Sequence, residues 1–130
     1  MIMDEIKLRQ YVIVPKKPKM SPGKIASQVA HATFMALEKQ REGIGIERGS
    51  LNPKIIRDWK ENGMCVIVLQ CKNKYDLLGI REYLDQWNIP CHLYIDEGLT
   101  EVDPLSPTCL ATGVITEDKH WIFSKFKLYK

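Results

Sequence analysis

Two short stretches of this 130-residue chain hold the side chains best suited to chemistry. The first is Ser21-Pro22-Gly23-Lys24. Serine accepts a hydrogen bond at a helix start and proline suits the first helical position, so a helix begins here. The free N–H groups and positive dipole end of such a turn favour an anion. Lys24 adds a full charge. Gln28 and His31 follow four and seven residues later, so all three project from one side of the helix. The second stretch is Asp96-Glu97-Gly98-Leu99-Thr100-Glu101, directly after a short apolar run. Each stretch also has a plainer reading. The first suits a capped surface helix with a solvated lysine and a satisfied histidine, the second an acidic surface turn.

The surrounding elements decide whether these stretches meet. Leu8 to Val14 is apolar and β-branched, which predicts a strand buried on both faces and closed by Pro15. Pro15 to Met20 reads as a basic loop. The helix should run from Pro22 to about Gln40, with Ile25, Val29, Ala32 and Ala36 as a narrow apolar stripe. Its alanines imply close approach to a sheet. A glycine-bearing connection spans Arg41 to Ser50, and Asn52-Pro53 opens a second helix that Gly63 stops. Met64 to Cys71 is a second apolar strand. Asn73 starts a third helix, with Leu77, Ile80, Leu84 and Trp87 on its buried face and Pro90 ending it. Cys91 to Ile95 is a third strand and Thr108 to Ile115 a fourth. A helical turn is expected within Thr116 to Phe123, and an extended tail over Lys125 to Tyr129.

Buried strands alternating with helices predict an α/β domain with helices on both faces of a mostly parallel sheet. The fourth strand follows the third through a loop, so it should run antiparallel and make the sheet mixed. Ligands in such sheets bind beyond the carboxyl ends of parallel strands. If the first strand runs parallel to the third, the Pro15–Ser21 loop opens at the same edge as Asp96. Lys24 and Asp96 then face one crevice.

Size and composition narrow the class. At 15.0 kDa the chain is expected to form one domain over residues 1–130, stable without disulfide or metal. Apolar residues make 45% and charged residues 27%, which is globular rather than disordered. The apolar runs are too short to cross a membrane, and the N-terminus has no secretory-leader pattern. Cys65, Cys71, Cys91 and Cys109 lack zinc-ligand spacing and are expected to be buried reduced thiols, in keeping with a cytoplasmic location. Net charge is only +3. Lysines nevertheless cluster at Lys16, Lys17, Lys19 and Lys24, and again at Lys119, Lys125, Lys127 and Lys130. Such patches suit a polyanion, or simply solvated surface. Serine-hydrolase, phosphate-loop, dinucleotide and zinc-protease signatures are all missing.

The residues also carry a resemblance. The segments Gln10-Tyr11-Val12-Ile13-Val14 and Lys19-Met20-Ser21-Pro22-Gly23-Lys24-Ile25-Ala26-Ser27-Gln28-Val29-Ala30-His31-Ala32 resemble the type II peptidyl-tRNA hydrolases. The similarity continues through Ile95 to Glu101 and Thr108-Cys109-Leu110-Ala111, and ends at Phe126-Lys127-Leu128-Tyr129. It covers nearly the whole chain in order, from about Leu8 onward.

The resemblance implies a three-layer α/β/α fold around a four-stranded mixed sheet, commonly as a homodimer. It implies hydrolysis of the ester joining a peptide to the terminal ribose of tRNA, without cofactor or catalytic metal. The family's catalytic lysine corresponds to Lys24, and the aspartate and threonine implicated with it to Asp96 and Thr100. Gln28 and His31 match the helix motif as substrate-binding candidates. Lys16, Lys17 and Lys19 are expected to contact the tRNA backbone, with no role for DNA or membrane. With no activated serine or cysteine evident, the attacking group is expected to be water. The chain departs from the family at Pro22, where many members have a second lysine, at Glu101, where glutamine is common, and at Leu110-Ala111-Thr112-Gly113. These departures leave a rival reading, an inactive RNA-binding homologue. A further one is a protein–protein adaptor.

Overall fold

The computed structural model describes residues 7–43, 54–97 and 105–130. Its two most apolar strands lie at the centre of a four-stranded sheet. They are β1 (Arg9–Lys17) and β4 (Pro107–Ile115), each buried over most of its length. The edge strands β2 (Val66–Asn73) and β3 (Cys91–Ile95) are more exposed. The spatial order is β2-β1-β4-β3. β1 pairs with β2 in parallel and with β4 antiparallel, and β4 pairs antiparallel with β3. β1, β2 and β3 therefore point the same way, and the sheet is mixed as expected.

Side chains alternate across β1, and so does the packing. Tyr11 and Ile13 join Leu77 and Leu84 of α3 (Lys74–Gln86), together with Leu110, Ile122 and Phe123. Val12 and Val14 face the other way, against Ala32 and Ala36 of α1 (Pro22–Glu42). Helices thus cover both faces, giving the α/β/α layering. The short helix α2 (Ile55–Glu61) adds Ile56 and Trp59 to a small cluster around Val114. Gly43 closes α1 at φ 77°, a left-handed geometry that glycine adopts without penalty.

Several details differ from the sequence reading. β1 does not stop at Pro15 but continues to Lys17, with Pro15 beside Cys71 of β2. The alternation of main-chain donors explains the tolerance. The Gln10 N–H points to β2 and the Tyr11 N–H toward β4, so position 15 also points toward β4. Pairing with β4 has ended by Ile13, so no sheet bond is lost at the proline. Trp87 is not on the buried face of α3. It caps the helix C-terminus and is 44% exposed, packed edge-on against Trp121. Of the four thiols only Cys109 is fully buried. Cys65, Cys71 and Cys91 sit beside or within the edge strands, which leaves them half-buried. The expected start of α2 at Asn52-Pro53 lies outside the described residues. Glu117–Phe123 forms the expected turn, as a 3-10 helix. The tail pairs with the outer edge of β2, through Gln70 N–H to Lys127 O and Tyr129 N–H to Val68 O.

Candidate active site

Ser21 starts α1. Its hydroxyl accepts the Lys24 N–H at 3.2 Å, and its carbonyl accepts the Ile25 N–H at 2.9 Å. Pro22 has no N–H. The anion-binding turn expected from the sequence thus spends two of its donors on its own cap. The cationic character of the site rests on the Lys24 side chain.

That side chain turns inward. Lys24 Nζ donates to Asp96 Oδ1 at 2.8 Å, and the two side chains are only 9% and 8% exposed. Asp96 lies at the carboxyl end of β3, and the loop leaving β1 leads into α1 at the same end of the sheet. The main chain of Asp96 is fixed as well. Its N–H donates to Ser106 O at 2.9 Å, and its carbonyl accepts the Leu105 N–H at 2.8 Å. These two bonds clasp the ends of the segment that contains Thr100. Thr100 itself, with Glu101, lies outside the described residues.

Gln28 lies one helical turn along from Lys24. It is buried, and Oε1 accepts the Thr108 hydroxyl at 2.5 Å. The Gln28 main-chain oxygen accepts a weak bond from the Cys109 thiol at 3.2 Å. Gln28 therefore ties α1 to the start of β4, directly behind the ion pair. His31 is exposed, and its ring stacks on Tyr94 of β3 at 4.9 Å with 16° between the planes. Lys24, Gln28 and His31 thus lie along one side of α1, turned toward β3 and β4. Thr108 and Tyr94 were missed in the sequence. A threonine opening an otherwise apolar strand was the one available signal for Thr108.

Lys16 and Lys17 do not gather around the ion pair. Lys16 lies over the Tyr129 ring at 4.4 Å and donates to the main-chain oxygen of Lys130 at 2.5 Å. Lys17 and Lys19 are exposed. Lys16 and Lys17 line a separate cleft on the β2 side.

The thiols are poor nucleophiles. Burial pushes Cys109 up to about 12, and burial with the nearby Asp76 charge pushes Cys71 to about 12. Burial chiefly raises Cys91 to about 11. All three are protonated at neutral pH, and the thiolate is the reactive form. The site therefore offers an ammonium and a carboxylate, with a cap and a buried amide holding the helix that carries the lysine. That set can polarise a carbonyl and orient a water.

Residues 8–129 match the family model described as "Peptidyl-tRNA hydrolase PTH2". The chain is 35% identical over 112 residues to the peptidyl-tRNA hydrolase of Methanopyrus kandleri, covering 85% of this chain and 88% of that one. It is 33% identical over 111 residues to that of Thermococcus onnurineus, covering 85% and 86%. It is 29% identical over 121 residues to that of Thermoplasma acidophilum, covering 92% and 97%.

Proposed function

This chain belongs to the peptidyl-tRNA hydrolase PTH2 family, and we propose that it hydrolyses the ester of peptidyl-tRNA, releasing free tRNA and peptide. The observation that carries the mechanism is the enclosed pair of Lys24 and Asp96, 2.8 Å apart at the carboxyl end of β3. Desolvating two charges costs several kcal/mol per ion, so such a pair is a weak source of stability. Its position, where ligands of α/β sheets bind, favours a chemical role.

Asp96 accepts a hydrogen bond from the attacking water and aims its lone pair at the ester carbonyl carbon. Lys24 uses one of its three N–H donors on Asp96, which leaves two for the substrate. Those donors stabilise the negative charge that develops on the carbonyl oxygen. The carbon–oxygen bond to the ribose then breaks. One proton from water ends on the ribose oxygen, the other is released to solvent, and the peptide leaves as a carboxylate. Thr100 orients the water or the ribose. Gln28 positions α1 through Thr108, and His31 presents a ring for substrate contact. Lys16, Lys17 and Lys19 meet the tRNA backbone. The same reading has residues 1–130 working as one domain, in the cytoplasm, as a homodimer without a DNA role. Phe34 and Met35, exposed on α1, offer apolar surface for a subunit contact.

The test is release of free tRNA from an N-blocked aminoacyl-tRNA. Lys24→Ala and Asp96→Asn are each expected to lower kcat by about 10²–10⁴-fold. Near-normal turnover by either variant removes that residue from the mechanism. An inert wild-type protein removes the activity.

A further inference from the structure

The two lysine clusters of the sequence meet in space, away from the ion pair. Lys16 and Lys17, at the carboxyl end of β1, line a cleft of about 390 Å³ together with Lys72, Lys125 and Lys127. Gln70, Cys71 and Phe126 complete its walls. The cleft exists because the C-terminal tail pairs along the outer edge of β2 and brings its own lysines there. It adjoins a second hollow that shares Lys125 and Phe126 and extends to Tyr75 and Tyr83 on α3. Together they form a groove lined by five lysines, with aromatic rings along its α3 side.

The charges that face this groove are not balanced. Asp76 is the one acidic side chain among the described residues that line it, and one of its oxygens accepts the main-chain N–H of Lys72 at 3.1 Å, so a single carboxylate faces five lysines. Lys125 lies over the Tyr83 ring at 3.6 Å, which holds its ammonium at the groove wall. Tyr75 is 71% exposed at the rim, with the Lys74 ammonium over one side of its ring at 5.5 Å and the rest turned to solvent. Lysines along a track with an open aromatic face are the pattern that holds single-stranded nucleic acid. Phosphates pair with the lysines, and a base stacks on the ring.

We propose that this groove at the β2 edge is a second RNA-binding site, taking unpaired nucleotides of the tRNA that lie next to the ester. The inference rests on the hydrolase reading for its choice of RNA. The sheet supplies the spacing. β2 and β3 are opposite edges about 14 Å apart at ~4.8 Å per strand, and the groove lies beyond the outer edge of β2 and reaches round to the α3 face, whereas the ion pair sits under α1. Both open at the carboxyl ends of the three parallel strands. Unpaired nucleotides leading from an ester at Lys24 and Asp96 would reach the lysines by passing round the carboxyl ends of β1 and β2, where Lys16, Lys17 and Lys72 stand.

Binding of deacylated tRNA, measured against salt, tests the groove without any turnover. The double variant Lys72→Ala/Lys127→Ala is expected to bind about fivefold or more weakly at low salt. Its slope of log affinity against log salt should flatten by about 1.4 to 1.8. Tyr75→Ala should weaken binding between about fivefold and a hundredfold while leaving that slope unchanged. The double variant should also raise KM for the full substrate yet cleave an N-acyl-aminoacyl-adenosine at the wild-type rate. Wild-type affinity and slope in the double variant overturn the groove as an RNA site. If wild-type protein cleaves no ester, the hydrolase reading fails, and the binding comparison still decides the groove.

Discussion

The two faces of the sheet are built by different means. The face under α3 is closed mainly by large apolar side chains, with Ile13, Leu77, Leu84 and Leu110 all fully buried. The face under α1 is closed by alanines and by buried amides and hydroxyls. Gln28, Ala32, Ala36 and Gln40 form its buried stripe at a spacing of four. The glutamines bond to β4 at both ends of the helix. Gln28 meets Thr108, while Gln40 Nε2 donates to Val114 O at 3.0 Å and its Oε1 accepts the Val114 N–H at 2.7 Å. Area supplies stability without direction, whereas hydrogen bonds fix an angle and a register. The helix that carries Lys24 is therefore aimed by polar contacts, and the opposite layer supplies the larger share of apolar burial.

The Gln40 end serves a bulge. Gln10 lies opposite Val114 and Val12 opposite Ala111, so Thr112 and Gly113 together face Tyr11 alone. Side chains absorb the freed main-chain groups. The Thr112 hydroxyl accepts the Tyr11 N–H at 3.0 Å, and Gln10 Nε2 donates to Thr112 O at 3.0 Å. A β-carbon at Gly113 would stand 2.6 Å from Gln40 Oε1.

This contrast can be broken or sharpened by substitution. The largest effect belongs to the lysine and aspartate, where turnover falls by orders of magnitude as set out above. On the α3 face, Leu84→Ala should cost about 2–5 kcal/mol of stability in denaturant unfolding. Its kcat per folded molecule should stay within about twofold of wild type, because that layer aims nothing at the site. Loss of kcat in a folded Leu84 variant would show that the two faces are not separate in purpose. On the α1 face, Gly113→Ala should dislodge the Gln40 amide and cost about 1–3 kcal/mol, by leaving buried groups of β4 unpaired. A Gly113→Ala/Gln40→Ala double variant should cost little more than Gln40→Ala alone, and a cost equal to the sum of the two single changes would show that the amide and the glycine act independently. The smallest effect is expected from Ser21→Ala, about 1 kcal/mol from the lost cap. Because the cap sets the turn bearing Lys24, that variant should show a change in kcat as well.

The architecture was legible where patterning is strong. Continuous apolar runs marked β1 and β4, and Ser21-Pro22 marked the start of α1. Lys24 and Asp96 could be placed in one crevice because strand direction and the carboxyl-end rule combine. Polar residues with buried roles were harder to read. Gln28 and Gln40 sit at core positions, yet an amide at helical spacing looks like solvent face until its partner strand is known. Trp87 looked like core because aromatic residues usually are, but the helix ends beneath it. The meeting of the two lysine clusters depends on a tail crossing to an edge strand, and no local signal encodes that long-range pairing.

The main-chain clasp at Asp96 has a consequence for how this site can diversify. Asp96 bonds across to Leu105 and Ser106, so the carboxylate is anchored by posts on both sides of the intervening stretch. Doubling the length of a stretch closed in this way costs only about 0.6 kcal/mol. Insertions or deletions between the posts would then leave the acid at its station. Length can therefore be added or removed in that interval around Thr100 without moving the carboxylate from its place on the sheet.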